Sequence, residues 1–379
     1  MTEGAVPYVI AVDAGGTSTR CSVATLDGRC LGYGASGAGN PVSVGADAAL
    51  AAFAQAISAA LLEATLAEPS LAGAGLAGVD LARAGEVAGF SLAGHEAVQV
   101  VVSMAGGIST GQWPAFRAML AGLGINQEPA MKSDLLGNFC SGTPELSGYV
   151  LDAGTGSGAV RIEDGVSSRT ADGLGWLLGD AGSGFWIGSQ AVRAAFADVD
   201  GRGPATRLTD LVFARLGLDF VRAGTGQNQT EGRPAVTLEG LRLIYELAPI
   251  ELSRFASAAF EAAGDQVADA IVDRAIGQLA GTMRAVLRPE ITGPVVLAGG
   301  VLTANRGFRD RLIERLRPDL PQATFLPVAD GMVGALMLAL RQAGLEAGPE
   351  RFDRLSRTLA ALPSRGTQLR VTPPLAPQP

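Results

Sequence analysis

The sequence predicts an α/β protein made of two related domains, each a mixed sheet flanked by helices. One observation is a repeat. Segments 8–29 and 149–166 both run from an apolar strand ending on aspartate, through a Gly/Thr/Ser turn and a second strand, to an Asp-Gly pair. After each copy, helical and strand-like apolar segments alternate, which is typical of sheets flanked by helices. A length of 379 residues also favours two domains over one.

Composition narrows the class of protein. The chain is 47% apolar and 17% charged, as in a soluble globular protein, and its net charge of −8 argues against non-specific binding to nucleic acid. No apolar stretch of about 18 residues predicts a membrane span, and the N-terminal sequence does not resemble a signal peptide. The three scattered cysteines, Cys21, Cys30 and Cys140, favour a reduced, cytoplasmic protein without disulfides.

The scarcity of two residue types limits the chemistry. His95 is the only histidine, which argues against a histidine-based triad or a multi-histidine metal site. No Cys-x-x-Cys pair is present for zinc or an iron–sulfur cluster. Carboxylate, hydroxyl and backbone groups remain, together with Mg²⁺, which prefers oxygen ligands and substrate phosphates.

In the first half, strands are predicted at 8–13, 20–25, 30–35 and 98–104, and helices at 47–66, 113–123 and 135–140. Asp47 suits the N-cap of the first helix, and Pro114 suits the first turn of the second. The Asp-Gly pairs at 27–28 and 164–165 predict hairpins with type I′ turns, in which both central residues have positive φ.

The second half repeats the opening hairpins. It continues with a helix at 184–196, a largely helical stretch at about 238–287, a strand at 295–297 and a helix at 331–342. The cluster of Gly122, Gly124 and Pro129 suggests a boundary at 120–130. The predicted domains are therefore 1–125 and 126–345, followed by a proline-rich tail at 346–379 that is partly disordered.

The first repeat predicts a phosphate-binding loop. Glycine lets backbone N–H groups approach an anion closely, and hydroxyl groups add further donors. Asp13 stands just before the loop, where it would hold Mg²⁺ directly or through water; alternatively it caps its own turn. The residues of this loop that would bind nucleotide phosphates are Gly15, Gly16, Thr17 and Ser18.

The second repeat predicts a second phosphate-binding loop after Asp152, in which Gly154, Thr155 and Gly156 would meet the nucleotide. An ordinary tight hairpin is the competing interpretation, and the repetition argues against it. Further along, Gly299 and Gly300 follow a buried strand and would let the backbone lie against an adenine ring.

Asp134 is the candidate general base. It follows a strand-like segment and opens a helix, so its carboxylate could accept the proton of a substrate hydroxyl as a phosphoryl group arrives. A helix N-cap is an equally good interpretation of the local sequence, because aspartate is a preferred N-cap residue.

Other residues are candidates for binding sugar hydroxyls. Asp180 lies in a segment rich in glycine and tryptophan at 173–188, where Trp176 or Trp186 would stack on a sugar face or pack in the core. Asn40, which precedes a proline, would hydrogen-bond sugar hydroxyls through its amide donor and acceptor, or would simply form a turn.

The motifs VDAGGTSTR, SGAGNP, SDLLGNF, AGTGSGA, GWLLGDAGSGFWIG and VLAGGV, spread over about residues 8–340, resemble the actin-like ATPase and sugar-kinase superfamily. More narrowly they resemble its N-acetylglucosamine kinase branch, within the BadF/BadG-type ATPases. The resemblance implies two actin-like (ribonuclease H-like) domains with the active site in the cleft between them, ATP and Mg²⁺, and a homodimer. It implies that Asp134 is the base, that Gly299 and Gly300 lie near adenine, and that the amino sugar is bound by Asn40, Gly106, Gly107 and Asp180.

The activity implied by the resemblance is ATP-dependent phosphorylation of an amino sugar, at O6 of N-acetylglucosamine. Glucosamine kinase, N-acetylmuramic acid kinase and a regulatory ATPase without a sugar substrate are alternatives. Departures from the family pattern put the sugar contacts in doubt: Trp176 is displaced relative to the Gly-Trp-Gly of some relatives, and Ala181 stands where an acidic residue often occurs. Relatives that activate dehydratases use a cysteine-ligated iron–sulfur cluster, for which only Cys140 is suitably placed.

Overall fold

The computed structural model describes residues 7–67, 97–106, 111–220, 229–230 and 233–362. The chain divides into two compact units. Unit 1 comprises Met1–Glu145 with Asp330–Pro379, and unit 2 comprises Leu146–Ala329. This division differs from the sequence-based boundaries at 125/126 and 345/346. The reason is that the C-terminal part of the chain packs against the first strand of unit 1, a long-range contact that no local composition change announces.

Unit 1 contains a five-stranded mixed sheet. Its strands are β1 (Tyr8–Ala14), β2 (Thr19–Thr25), β3 (Cys30–Ser36), β4 (Ala97–Met104) and β5 (Ala130–Lys132). The strand order is β3-β2-β1-β4-β5, in which the first three strands are antiparallel and β4 and β5 run parallel to β1. Every residue of β1 is buried, as expected for a central strand.

Unit 2 repeats this sheet. Its strands are β6 (Gly148–Ala153), β7 (Ser157–Glu163), β8 (Val166–Asp172), the short pair β9 (Gln229–Thr230) and β10 (Arg233–Pro234), then β11 (Val295–Ala298) and β12 (Phe325–Pro327). The five-stranded sheet has the order β8-β7-β6-β11-β12, with antiparallel β6–β8 and parallel β11 and β12. The predicted fold class, two related mixed sheets flanked by helices, is confirmed.

The helices are, in chain order, α1 (Pro41–Val44), α2 (Ala46–Ala67), α3 (Trp113–Gly122), α4 (Asp134–Gly142), α5 (Gly175–Leu178), α6 (Gly184–Val199), α7 (Leu208–Arg215), α8 (Ala235–Glu246), α9 (Ala256–Glu261), α10 (Gln266–Arg284), α11 (Gly300–Ala304), α12 (Arg306–Leu316), α13 (Met332–Gln342) and α14 (Pro349–Ala360); a 3-10 helix covers Pro249–Phe255. Most predicted bounds are within a few residues of these. Since α2 begins at Ala46, Asp47 lies in its first turn and the N-cap prediction for it was wrong.

Helix α2 packs on β3 at very short range because both surfaces carry small residues. A methyl group added at Gly32 or at Gly34 would lie 2.1 Å from a backbone carbonyl oxygen of α2. By length and composition, α2 is the one described helix that could cross a membrane, but half of that apolar window is buried within the protein. Its apolar character therefore serves the core of unit 1 in this structure.

The two Asp-Gly turns differ. At the second turn, Asp164 has φ of +51° and Gly165 has φ of +77°, as a type I′ turn requires, so the prediction is confirmed there. At the first turn only Gly28 has positive φ, at +91°, and the type I′ prediction was wrong. The side chain of Asp27 instead accepts a hydrogen bond from Thr25 and pairs with Arg354, which favours a longer loop.

The C-terminal helix α14 belongs to unit 1. The hydroxyl of Thr358 accepts a hydrogen bond of 3.0 Å from the backbone N–H of Cys30, and Leu355 and Leu359 are fully buried. The predicted tail at 346–379 is therefore ordered as a helix over 349–360. The proline-rich residues from 363 onward, for which disorder was predicted, lie outside the described residues.

We expect Gly34→Ala to lower the free energy of unfolding by about 1–3 kcal/mol, measured by urea denaturation, because overpacking against backbone outweighs the entropy gained by replacing glycine. Gly37→Ala is the matched control, since a methyl group there meets no atom within 4 Å. Equal stability of the two variants would contradict the close packing of α2 on β3.

Candidate functional site

The first predicted phosphate loop is the connection between β1 and β2. The backbone N–H of Gly15 donates a 2.9 Å hydrogen bond to the carbonyl of Ser18, which closes the loop, and Gly16 and Thr17 at its tip are exposed. The loop therefore presents backbone N–H groups and hydroxyls to solvent, the groups that an anion requires.

Asp13, at the end of β1, is buried, with 8% of its surface exposed. One carboxylate oxygen, Oδ2, accepts a 3.2 Å hydrogen bond from the backbone N–H of Gly331 and lies 3.3 Å from Nη1 of Arg20. Arg20 is the residue opposite Asp13 on β2. The antiparallel register thus supplies the cation that makes a buried carboxylate tolerable.

The surroundings of Asp13 raise its pKa to about 6. Burial is the largest cause, because it disfavours the charged form. The guanidinium of Arg20 and the N–H of Gly331 oppose this effect, while the negative charges of Asp330 and Asp134 add to it. The charges of two other carboxyl groups of unit 1 therefore act on Asp13 at the end of β1.

Asp134 is the first residue of α4 rather than its N-cap. The side chain of Ser133 occupies the N-cap role and accepts a 3.2 Å hydrogen bond from the N–H of Leu135. The start of α4 is fixed by Ser103 of β4, whose hydroxyl donates a 3.1 Å hydrogen bond to the carbonyl of Ser133. Because Ser103 is also the parallel-strand partner of Asp13, the two aspartates are brought to the same end of the sheet.

Burial raises the pKa of Asp134 above its ordinary value, although hydrogen bonds from the N–H of Leu135 and from nearby groups act in the opposite direction. A carboxylate with raised proton affinity is a better base than an ordinary aspartate. The competing N-cap interpretation has lost its support, since Ser133 already performs that task. Catalysis by Asp134 stays a prediction.

Asn40 lies beside the first loop and the end of β4. Its Nδ2 is 3.5 Å from the carbonyl oxygen of Ala105, and the N–H of the preceding Gly39 donates a 3.2 Å hydrogen bond to Gly15. Gly106 follows with φ of +74°, which requires glycine. The structure thus brings Asn40 and Gly106 together, whereas Gly107 lies outside the described residues.

The second predicted loop joins β6 to β7 and is tied to the start of α6. The N–H of Gly154 donates to Gly156, and the carbonyls of Gly154 and Thr155 accept hydrogen bonds of 2.8 and 3.0 Å from Gly184 and Phe185. The N–H groups in the first turn of α6 therefore hold the loop in its conformation. The tripeptide 154–156 stays only partly buried.

Asp180 belongs to this second loop. Its Oδ1 accepts a 3.0 Å hydrogen bond from the N–H of Ser157, and only 5% of the residue is exposed. A methyl group at Gly156 would lie 2.8 Å from that oxygen. The carboxylate therefore supports the loop backbone in this structure, and its predicted contact with a sugar is untested.

Sequence reasoning missed Asp172, which holds Asp180 in place. The carboxylate of Asp172 accepts hydrogen bonds of 2.7 Å from the N–H of Asp180 and 2.9 Å from that of Ala181. Both aspartates have positive φ, +60° and +57°, which is uncommon outside glycine. The Asp172-Gly173 pair was the available signal, because this dipeptide favours such turns.

The two tryptophans of segment 173–188 have different environments. Trp186 packs against the core of unit 2, with the guanidinium of Arg274 5.7 Å from its ring centroid, so the core-packing interpretation is confirmed for it. Trp176 is 43% exposed and contacts Phe185 at a centroid distance of 5.9 Å. Of these two rings, Trp176 has the more accessible face for a sugar.

The predicted adenine-binding glycines lie next to the second loop. Gly299 has φ of +87°, and a methyl group on it would lie 2.3 Å from the carbonyl carbon of Ala153 and 2.5 Å from the nitrogen of Gly154. No other residue fits between β11 and this loop. A methyl group on Gly300 would meet no atom within 4 Å, so its surface is open.

Asp330 was also missed. It lies between β12 and α13, while Asp134 follows β5 and is the first residue of α4, so the two aspartates occupy similar positions in the two repeats. A comparison of the segments that end the two repeats, as well as of those that begin them, would have identified Asp330. The N–H of the next residue, Gly331, is the one that holds Asp13.

The oxygen donors of Asp13, Asp134 and Asp330 fit the preference of Mg²⁺ for carboxylates, and a cation would relieve the repulsion that raises the pKa of Asp13. Among the described residues, no group of three or more His, Cys, Asp or Glu side chains is arranged to hold a metal ion by itself. This fits Mg²⁺ held by one or two carboxylates together with water and substrate phosphates.

The two five-stranded sheets share one topology, and each has a glycine-rich loop after its first strand, where backbone N–H groups can bind an anion. The chain belongs to the BadF/BadG/BcrA/BcrD ATPase family, whose model matches residues 10–339.

Similar proteins include two kinases. One, from Clostridium acetobutylicum, is an N-acetylmuramic acid/N-acetylglucosamine kinase, 26% identical over 88% of this chain and 98% of its own length. An N-acetyl-D-glucosamine kinase from Dictyostelium discoideum is 28% identical over 58% of this chain and 67% of its own. A crystal structure from Chromobacterium violaceum, provisionally assigned as an N-acetylglucosamine kinase, has a TM-score of 0.61 and 23% identity, covering 89% of this chain and 99% of that one. It confirms the fold.

Asp13→Asn should change how stability depends on pH. Because the pKa of Asp13 in the folded protein, about 6, lies above its ordinary value, its favourable contribution exists at low pH and is lost as pH rises through 6. Between about pH 4.5 and about pH 7.5 the wild type should lose about 2 kcal/mol of unfolding free energy relative to the variant.

The measurement is urea denaturation of both proteins at the two pH values. Asp353→Asn is the control, since Asp353 is an exposed aspartate of the same unit. A constant difference between the wild type and Asp13→Asn would contradict the assigned environment of Asp13.

Proposed function

We propose that this protein is an ATP-dependent sugar kinase that transfers the γ-phosphoryl group of ATP to O6 of N-acetylglucosamine. The observation that carries the proposal is the placement of Asp134 at the start of α4, at the same end of the sheet as the first glycine-rich loop. The names of the similar kinases support an amino sugar as acceptor. The predicted homodimer and cytoplasmic location are part of the same proposal.

Asp134 acts on the sugar. Its raised pKa suits it to accept the proton of the attacking hydroxyl while it orients that hydroxyl towards phosphorus. The side-chain amide of Asn40 and the backbone at Gly106 lie near each other at the end of β4. These groups would supply the donors and acceptors that read neighbouring sugar hydroxyls.

The two glycine-rich loops act on the nucleotide. The open N–H groups at Gly16 and Thr17, and those at 154–156, would donate to phosphate oxygens and stabilise the charge that develops during transfer. Asp13 would hold Mg²⁺ through water. When bound, Mg²⁺ neutralises negative charge on the phosphates. Gly299 and Gly300 would lie along the adenine ring.

N-acetylmuramic acid is a second candidate acceptor. The Clostridium acetobutylicum relative, which is matched over 98% of its length, has both sugars in its name. The lactyl group of this sugar carries a carboxylate, so its binding would need a nearby cation. In unit 1, Arg20 is the cation next to Asp13, but its guanidinium is already paired. N-acetylglucosamine is the first acceptor proposed because the names of both similar kinases include it.

The dehydratase-activator alternative is weakened by the position of Cys140. This thiol is fully buried in α4, where Arg341 donates a 3.3 Å hydrogen bond to its sulfur, and burial raises its pKa. A cysteine that bridges subunits through an iron–sulfur cluster must be accessible as a thiolate. Cys21 and Cys30 are buried as well.

The acceptor is tested by ADP release with Mg-ATP and a panel of sugars: N-acetylglucosamine, N-acetylmuramic acid, glucosamine, glucose and none. We expect release that depends on N-acetylglucosamine, with a 6-phosphate as product. Release without any sugar would instead identify a regulatory ATPase, and dependence on another sugar would reassign the acceptor.

Asp134→Asn should lower kcat by about 10²–10⁴-fold, because the amide cannot accept the proton, while affinity for Mg-ADP is retained. Ser133→Ala is the comparison: it removes the N-cap and a hydrogen bond to the Asp134 carboxyl, so it should cost about 1 kcal/mol of stability and lower kcat far less than Asp134→Asn does. A similar loss of turnover in both variants would mean that Asp134 matters only for the start of α4.

A further inference from the structure

Thr19, the first residue of β2, carries a buried hydroxyl that satisfies no hydrogen bond. The residue has 0% exposed surface, and its Oγ1 has no partner within the part of the chain that the structure describes. Such a group is costly, because it has lost its water without gaining a replacement. A hydroxyl retained under these conditions needs another reason for its position.

The position of Thr19 is explained by the space that its side chain fills beside Gly39. A methyl group built on Gly39 would lie 2.2 Å from Oγ1 of Thr19, by far the shortest of its contacts, 3.2 Å from Cβ of Ala14 and 3.3 Å from Cβ of Thr19. The φ of Gly39 is outside the left-handed region, so its backbone does not by itself require glycine. Glycine is required at position 39 because the branched side chain of Thr19 occupies the space of a side chain there.

Gly39 joins two parts of the site. Its N–H donates a 3.2 Å hydrogen bond to the carbonyl of Gly15, in the first phosphate loop. The next residue is Asn40, the candidate sugar ligand, whose amide reaches the carbonyl of Ala105. Any displacement of Gly39 away from Thr19 would therefore move Asn40 and break the contact with the phosphate loop.

We infer that Thr19 and Gly39 are positioning residues. They fix the position of Asn40, the candidate sugar ligand, relative to the phosphate loop at Gly15. Thr19 acts by its shape, because its side chain occupies the space that a methyl group at position 39 would need. The inference deepens the proposed function and rests on it for the identity of the sugar. The contact itself, between positions 19 and 39, is independent of which sugar binds.

The test is a set of variants that separates shape from hydrogen bonding. Gly39→Ala introduces the collision. Thr19→Ala removes the colliding atom, whereas Thr19→Val keeps the branched shape and removes the hydroxyl. The two double variants combine Gly39→Ala with each of these. Gly37→Ala, in the same loop with no atom within 4 Å of the new methyl group, is the matched control. Each variant is characterised by melting temperature, Mg-ADP affinity, and kcat and KM for the sugar.

Gly39→Ala should raise the sugar KM and lower kcat/KM by about tenfold or more, because a small misplacement of a positioning segment is enough. Gly39→Ala/Thr19→Ala should recover most of this loss, while Gly39→Ala/Thr19→Val should not. Thr19→Val alone should keep kcat/KM within a factor of about three. A low kcat/KM in Thr19→Val with an unchanged melting temperature would show that the hydroxyl binds a ligand and would overturn the inference. Equal recovery in both double variants would also overturn it.

If the wild type phosphorylates no sugar, the proposed function fails, and Mg-ADP affinity becomes the decisive measurement. Gly39 still contacts Gly15, so Gly39→Ala should weaken ADP binding, and Thr19→Ala but not Thr19→Val should restore it. Unchanged ADP affinity in Gly39→Ala would then refute the coupling.

Discussion

The buried carboxylate of Asp13 is the interaction on which the rest of the site depends. A charge at the end of a central strand is unfavourable unless partners surround it, and Asp13 draws these from distant parts of the chain. Arg20 comes from the neighbouring strand, and the N–H of Gly331 comes from the start of α13, more than 300 positions away. The Mg²⁺ site proposed at Asp13 and the assembly of unit 1 therefore depend on the same contacts.

The repeat extends beyond the two loops. Equivalent strands carry Asp13 and Asp152 near their ends, and the parallel-strand partners of these aspartates are Ser103 and Ala298. Asp134 and Asp330 each follow the last strand of a repeat. The two units have nevertheless diverged in their use of this framework. In unit 1 the ends of the strands gather carboxylates and an amide, which suits an acceptor hydroxyl. In unit 2, Gly299 packs instead against the backbone of the second loop.

Close backbone approaches recur wherever the site is held together. Gly34 lets α2 reach β3, Gly299 lets β11 reach the second loop, and Gly39 lets its segment lie against Thr19. In each case the space of a methyl group is already occupied by backbone or by a buried side chain. The high glycine content of this chain, 52 residues, is therefore in part a packing requirement and not only a source of turns.

The sequence by itself determined the repeat, the strand–loop–strand units, the placement of most helices and the composition of the two glycine-rich loops, because periodicity and turn chemistry are local. It could not show that segment 330–360 packs in unit 1, that Ser133 and not Asp134 caps α4, or that Asp180 accepts a hydrogen bond from Ser157. Those outcomes depend on contacts between residues far apart in the chain. Only the tertiary structure decides which of several possible partners a carboxylate or a glycine meets, because burial and distance do not follow from sequence spacing.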